Sequence, residues 1–100
     1  MAFLDLYNFE NLSNEAERIV IEELGSQLEK LPDDAVCKCN DCVMDMAAMA
    51  LNSVKPLYRC SLLGTLYTAE AMQDGSYAHS IKKAVSSAVT KVTMNPSHAV

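Results

Sequence analysis

The run Cys37-Lys38-Cys39-Asn40-Asp41-Cys42 places three of the chain's four cysteines within six positions. Several chemistries are open to it. A disulfide between Cys37 and Cys39 would close a tiny, strained ring. A nucleophilic cysteine needs a base, and the only histidines, His79 and His98, lie far away in sequence, although folding could bring His79 close. A metal site suits the spacing better. Zinc takes four thiolate or imidazole ligands in a tetrahedron, and clustered cysteines with one distant partner meet that need. Cys42 also falls at or near a helix N-terminus, where the dipole favours the thiolate a metal requires. Cys60 is the candidate fourth ligand, with His79, His98, an acid or water as substitutes. The plain alternative is a set of reduced cysteines packed as small hydrophobes. The metal reading predicts about one zinc per chain in a closed and therefore structural site.

The elements that must position these thiols read as all-helical. With only three glycines and no clean apolar–polar alternation, no strand is expected. Phe3, Leu4, Leu6, Tyr7, Phe9 and Leu12 form an apolar N-terminal arm or short helix. A long helix is predicted from about Asn14, where Asn14 and Glu17 stand at capping-box spacing, to Pro32. Its core stripe is Ala16, Ile19, Val20, Leu24, Leu28 and Leu31. A second helix, from about Asp41 to Val54, is apolar nearly all round and belongs at the centre of a bundle, with its methionines as core filler. Lys55-Pro56 breaks it. A third helix is predicted over Ser61 to Met72, and a last one over about Ser76 to Met94 with Ala78, Ile81, Val85, Ala88 and Val92 as its seam. The expected architecture is one domain over residues 1–100: a small bundle of about four helices with a cysteine-rich loop.

Charge narrows the function. Residues 1–36 carry nine acids and two bases, whereas residues 75–100 carry three lysines and no acid. The net charge of −5 argues against broad nucleic-acid binding, which needs a basic face. Lys82, Lys83 and Lys91 make too thin a phosphate patch to reverse that. The start MAFLDLYNFE has no basic residue and no long apolar run, so no secretory signal or membrane span is expected and the chain is placed in the cytoplasm, where thiols stay reduced. No Gly-rich phosphate loop and no catalytic triad spacing stands out, so a non-enzymatic protein is expected.

The run CKCNDCVMDMAAMALNSVKPLY reads C-x-C-x-x-C-x-x-D followed by A-x-x-L-N-x-V-x-P-x-Y. It resembles the late competence development protein ComFB family, a likeness that extends more weakly through the helical remainder to Asn95-Pro96-x-His98. The resemblance implies a small helical bacterial protein that forms a homodimer and binds metal through its cysteines. Cys37, Cys39 and Cys42 match the family's cysteine run, and Asp45, Asn52, Pro56 and Tyr58 match the signature after it. Cys60 is not carried over. In physical terms Asp45 is either a hydrogen-bond partner at the metal site or an ordinary first-turn acid. Asn52 suits a helix end, because Asn tolerates the left-handed conformation, Pro56 fixes the turn, and Tyr58 suits a packed ring with a bonded hydroxyl.

Proteins that resemble this one are associated with cyclic dinucleotides such as c-di-GMP and c-di-AMP. Such a ligand needs cations and stacking surfaces, and Lys55, Tyr58 and Arg59 form the one short cluster offering both, although surface solvation is the stronger reading of Lys55 and Arg59. A two-fold ligand suits a two-fold dimer. The alternative is a dimeric protein–protein adaptor in competence or motility regulation with no nucleotide ligand.

Overall fold

The computed structural model describes residues 2–60, 73 and 75–96. Two apolar 3-10 turns, Phe3–Asp5 and Phe9–Asn11, lead into a two-residue strand β1 (Ser13–Asn14). Helix α1 (Ala16–Glu29) follows, then the cysteine loop and helix α2 (Asn40–Leu51). A second short strand, β2 (Tyr58–Arg59), pairs antiparallel with β1, Ser13 opposite Arg59 and Asn14 opposite Tyr58. Helix α3 (Gly75–Met94) completes the described chain. The predicted helix over residues 61–72 lies outside the described residues.

The three helices form where the apolar periodicity placed them, and one core joins them. Ile19, Val20 and Leu24 of α1 meet Cys42, Met46 and Ala50 of α2 and Ile81, Val85, Ala88, Val89 and Val92 of α3. Helix α2 packs chiefly on α3, and α1 covers both. Leu28 and Leu31 pack at the margin of this core, as the stripe on α1 requires. Lys82, Lys83, Ser86, Ser87, Thr90 and Lys91 lie exposed on the other side of α3.

Four expectations need correction. The strand pair was not legible because two residues cannot display an alternating pattern. The capping box is also different: α1 starts at Ala16, and Asn14 Oδ1 accepts from the amides of Ala16 (3.1 Å) and Leu57 (2.7 Å). Asn14 therefore spans two segments instead of closing a local box with Glu17. Helix α2 ends at Leu51, and Asn52 is its C-cap in the right-handed conformation, not the left-handed one. The chain leaves instead through a tight turn, with Ser53 N–H on the Ala50 carbonyl. Finally, α2 is not enclosed. Met46 is fully buried, but Met44 is 61% exposed, because two helices among the described residues cover only part of its circumference.

Candidate metal centre

The loop between α1 and α2 is shaped before any metal is considered. Pro32 keeps Leu31 out of the helical region. The turn closes with Ala35 N–H on the Pro32 carbonyl at 3.0 Å, and Val36, 8% exposed, seats in the core directly before Cys37. Lys38, between the first two cysteines, reaches back to the Leu31 carbonyl (2.8 Å) and to Asp33 (2.7 Å). Cys39 is the N-cap of α2 in extended geometry, and its Sγ accepts from the Cys42 amide at 3.4 Å. Cys42 is one turn into α2 and fully buried.

This local folding gathers the Sγ atoms of Cys37, Cys39 and Cys42 within 4.8 Å of one another. Zinc–sulfur bonds of about 2.3 Å put neighbouring tetrahedral sulfurs about 3.8 Å apart, so a modest contraction would seat a metal. The donor set is soft thiolate, which suits zinc. The cluster is graded in exposure: Cys42 buried, Cys37 half-buried, Cys39 exposed. Its protons are graded too. The Cys42 amide, a hydrogen shared from Cys37 and the start of α2 hold the Cys39 thiol below its ordinary value. Cys37 is pushed up. The Cys39 amide favours its thiolate, but hydrogen bonds shared with the Cys39 and Cys42 sulfurs and burial outweigh that. Cys39 therefore gives up its proton to a metal more readily than Cys37.

Cys60 falls outside this cluster among the described residues. It is exposed and lines a hollow with Phe3, Tyr7, Asn8, Phe9 and Leu12 of the N-terminal arm. His79 is exposed on α3, and His98 lies outside the described residues. Asp45 is exposed and falls outside the cluster among the described residues.

The proposed ligand cluster is placed in a different arrangement from the one expected. Tyr58 is 63% exposed, so its ring is not packed. Arg59 donates through Nε to Glu15 at 2.5 Å, which leaves its terminal amino groups without a partner among the described residues. Tyr58 and Arg59 are consecutive in a strand, so their side chains leave on opposite faces. The Lys55 carbonyl accepts from the Tyr77 hydroxyl at 2.8 Å, which fastens the segment after α2 to α3, and Pro56 lies exposed beside it. Sequence reasoning missed Asn14, Glu15 and Tyr77 as the residues that hold this corner. Only Asn14 carried a signal, as a capping type before an apolar-periodic run.

Glu15 gives the corner a pH dependence. The Arg59 hydrogen bond, helped by one from Arg18 and opposed by desolvation, holds its carboxyl below the ordinary value of 4.5. A lowered carboxylate pKa contributes stability above the ordinary value and loses it as pH falls through the folded one. A Glu15→Gln variant should therefore have a lower urea midpoint than the parent at pH 7. That gap should narrow in titrations run progressively below pH 4.5. A gap that stays constant with pH would mean the ion pair contributes nothing.

The family model of the late competence development protein ComFB matches residues 13–96, from β1 to just beyond α3. The chain belongs to the ComFB family. The solved structure of the late competence protein ComFB from Bacillus subtilis superposes with a TM-score of 0.70 at 26% identity, over 86% of this chain and 92% of that one. No curated protein matches it. The cysteine loop, the helical core and the β1–β2 corner all fall inside the ComFB match, whereas the apolar arm before Ser13 lies outside it. No helix among the described residues is long and apolar enough to cross a membrane.

Proposed function

We propose that this ComFB-family protein is a non-enzymatic cytoplasmic regulator, a homodimer stapled by structural zinc that serves as a cyclic-dinucleotide receptor. The observation that carries the zinc part is the convergence of three sulfurs within 4.8 Å, one of them embedded in the core. Cys37, Cys39 and Cys42 would hold the ion, and one further donor would close a tetrahedron. When bound, zinc supplies no reaction here. It ties the loop to the α1–α2–α3 core.

The receptor part rests on the exposed Tyr58 ring, a stacking surface, while Arg59, held through Nε by Glu15, leaves β2 on the other face. Because the two side chains leave opposite faces of β2, one protomer presents them singly. A two-fold ligand in a two-fold dimer takes the same face from both copies, and Tyr58 from each would stack on one purine. Titration calorimetry of the zinc-loaded protein with c-di-GMP and c-di-AMP tests this. Saturable binding at about one ligand per dimer, weakened by Tyr58→Ala, is the expected result. No heat with either ligand would leave the adaptor reading, which the exposed apolar arm favours.

A further inference from the structure

The three gathered sulfurs are not equivalent, and two of them form a pair with a chemistry of its own. Cys39 and Cys42 stand at C-x-x-C spacing across the start of α2. Cys39 is the N-cap in extended geometry, and Cys42 follows three residues on in the first turn, so the two are neighbours on one side of the helix end. The Cys42 amide donates to the Cys39 sulfur at 3.4 Å, and the two sulfurs lie within 4.8 Å of each other. Cys39 is the most exposed of the three cysteines, whereas Cys42 is fully buried.

A reversible disulfide needs this division: one sulfur that solvent reaches, and a second held close to it that solvent does not reach. The other pairings serve less well. A Cys37–Cys39 bond closes a tiny, strained ring. Cys37 also precedes the helix start, outside the turn that holds Cys39 beside Cys42. Cys60 falls outside the cluster among the described residues. Metal binding does not protect the pair, because metal-binding sulfurs are thiolates, the nucleophilic form of cysteine.

We propose that Cys39 and Cys42 are a redox pair, in which a peroxide attacks Cys39, Cys42 closes a disulfide onto it, and the closure releases the metal held by the triad. The Cys39 thiolate attacks one peroxide oxygen. The O–O bond breaks, hydroxide leaves, and Cys39 becomes a sulfenic acid. The Cys42 thiolate then attacks the Cys39 sulfur, the S–O bond breaks, and a second hydroxide leaves. Two thiolates and one peroxide thus give one disulfide and two hydroxides, which solvent protonates to water. The two sulfurs lose two electrons between them, and the peroxide gains both. Of the triad only Cys37 then remains as a ligand, far short of the four donors zinc takes. A small thiol reverses the step by exchange at the disulfide. In a reducing compartment such a bond is transient, as a sensor requires. The release of metal rests on the zinc site proposed above, whereas the disulfide does not.

Zinc-loaded protein treated with equimolar hydrogen peroxide tests this. A chromogenic chelator reads the zinc set free, and peptide mass spectrometry after alkylation locates the disulfide. The expected result is about one zinc released for each Cys39–Cys42 disulfide formed, with Cys37 and Cys60 still open to alkylation. Dithiothreitol should restore zinc binding. Dimedone present during oxidation should trap a sulfenic acid at Cys39 and lower the disulfide yield. Cys60→Ser should respond as the parent does, because that thiol is not in the cluster. If the protein holds zinc and peroxide frees none, or if the disulfide or the dimedone adduct falls on Cys37 or Cys60, the redox pair fails and the zinc site stands. If the protein takes up no zinc but still forms the Cys39–Cys42 disulfide, the zinc site fails and the redox pair stands.

Discussion

Chelating the metal is expected to abolish the cooperative thermal transition or lower its midpoint by tens of degrees. Structural zinc contributes about 10–16 kcal/mol of apparent binding free energy in small domains, as much as the ~5–15 kcal/mol that holds a typical domain folded. The three sulfurs here join a loop that has few core residues of its own to helix α2. Cys42→Ser should be the most damaging single change at the site. Cys42 is fully buried in the core shared by the three described helices, so the variant loses a ligand and also buries a hydroxyl. Cys39→Ser, at an exposed position where serine is a good N-cap, should lose metal with less direct damage to packing. Cys60→Ser should keep its zinc, because that thiol sits with the arm. Zinc per chain by elemental analysis and melting by circular dichroism read all four. Unchanged melting after complete metal removal would end the staple.

The second large effect needs no metal. Met46 heads the fully buried side chains, on the face of α2 that meets α1 and α3. Met46→Ala should cost about 2–5 kcal/mol, through lost transfer free energy and the cavity left behind, and lower Tm by more than roughly 10 °C. Met44, two positions away and 61% exposed, is the matched control. Met44→Ala should stay within about 0.5 kcal/mol of the parent. A comparable loss at both positions would mean that α2 is covered on its far side as well.

The contrast between these two methionines shows what was legible in the sequence. Composition alone made Met44 and Met46 equivalent, both core filler on an all-apolar helix. Which one is buried depends on how many neighbours the helix has, and neighbour number is a tertiary property. On α1 and α3 the spacing was sufficient, because polar residues mark the outer face. Ile19, Val20 and Leu24 on α1 and Ile81, Val85, Ala88 and Val92 on α3 are buried as their offsets require. The cysteine triad was equally readable, since a C-x-C-x-x-C run across a helix start brings its sulfurs together by local geometry. Cys60 was not readable. Its place is set by the long-range pairing of residues 13–14 with 58–59, which leaves no periodic trace. The Arg59 ion pair was not readable for the same reason: its partner Glu15 is 44 residues away in sequence.

That strand pairing closes a ring of chain. From Asn14 to Tyr58 the backbone runs out through two helices and returns, and two residues on each side hold the seam. Because α1 and α2 are already packed in one core, closing the seam costs only the ordering of the few residues on either side of it. A single Asn side chain, one ion pair and a few backbone bonds, among them Glu15 N–H to the Leu57 carbonyl at 2.8 Å, stand against that cost. The seam is therefore the last part of the described fold to form and the first to open, while the three-helix core beneath it stays intact. In opening it sets free the arm, Tyr58 and Arg59 together. The corner that faces outward can therefore part without melting the body that carries it.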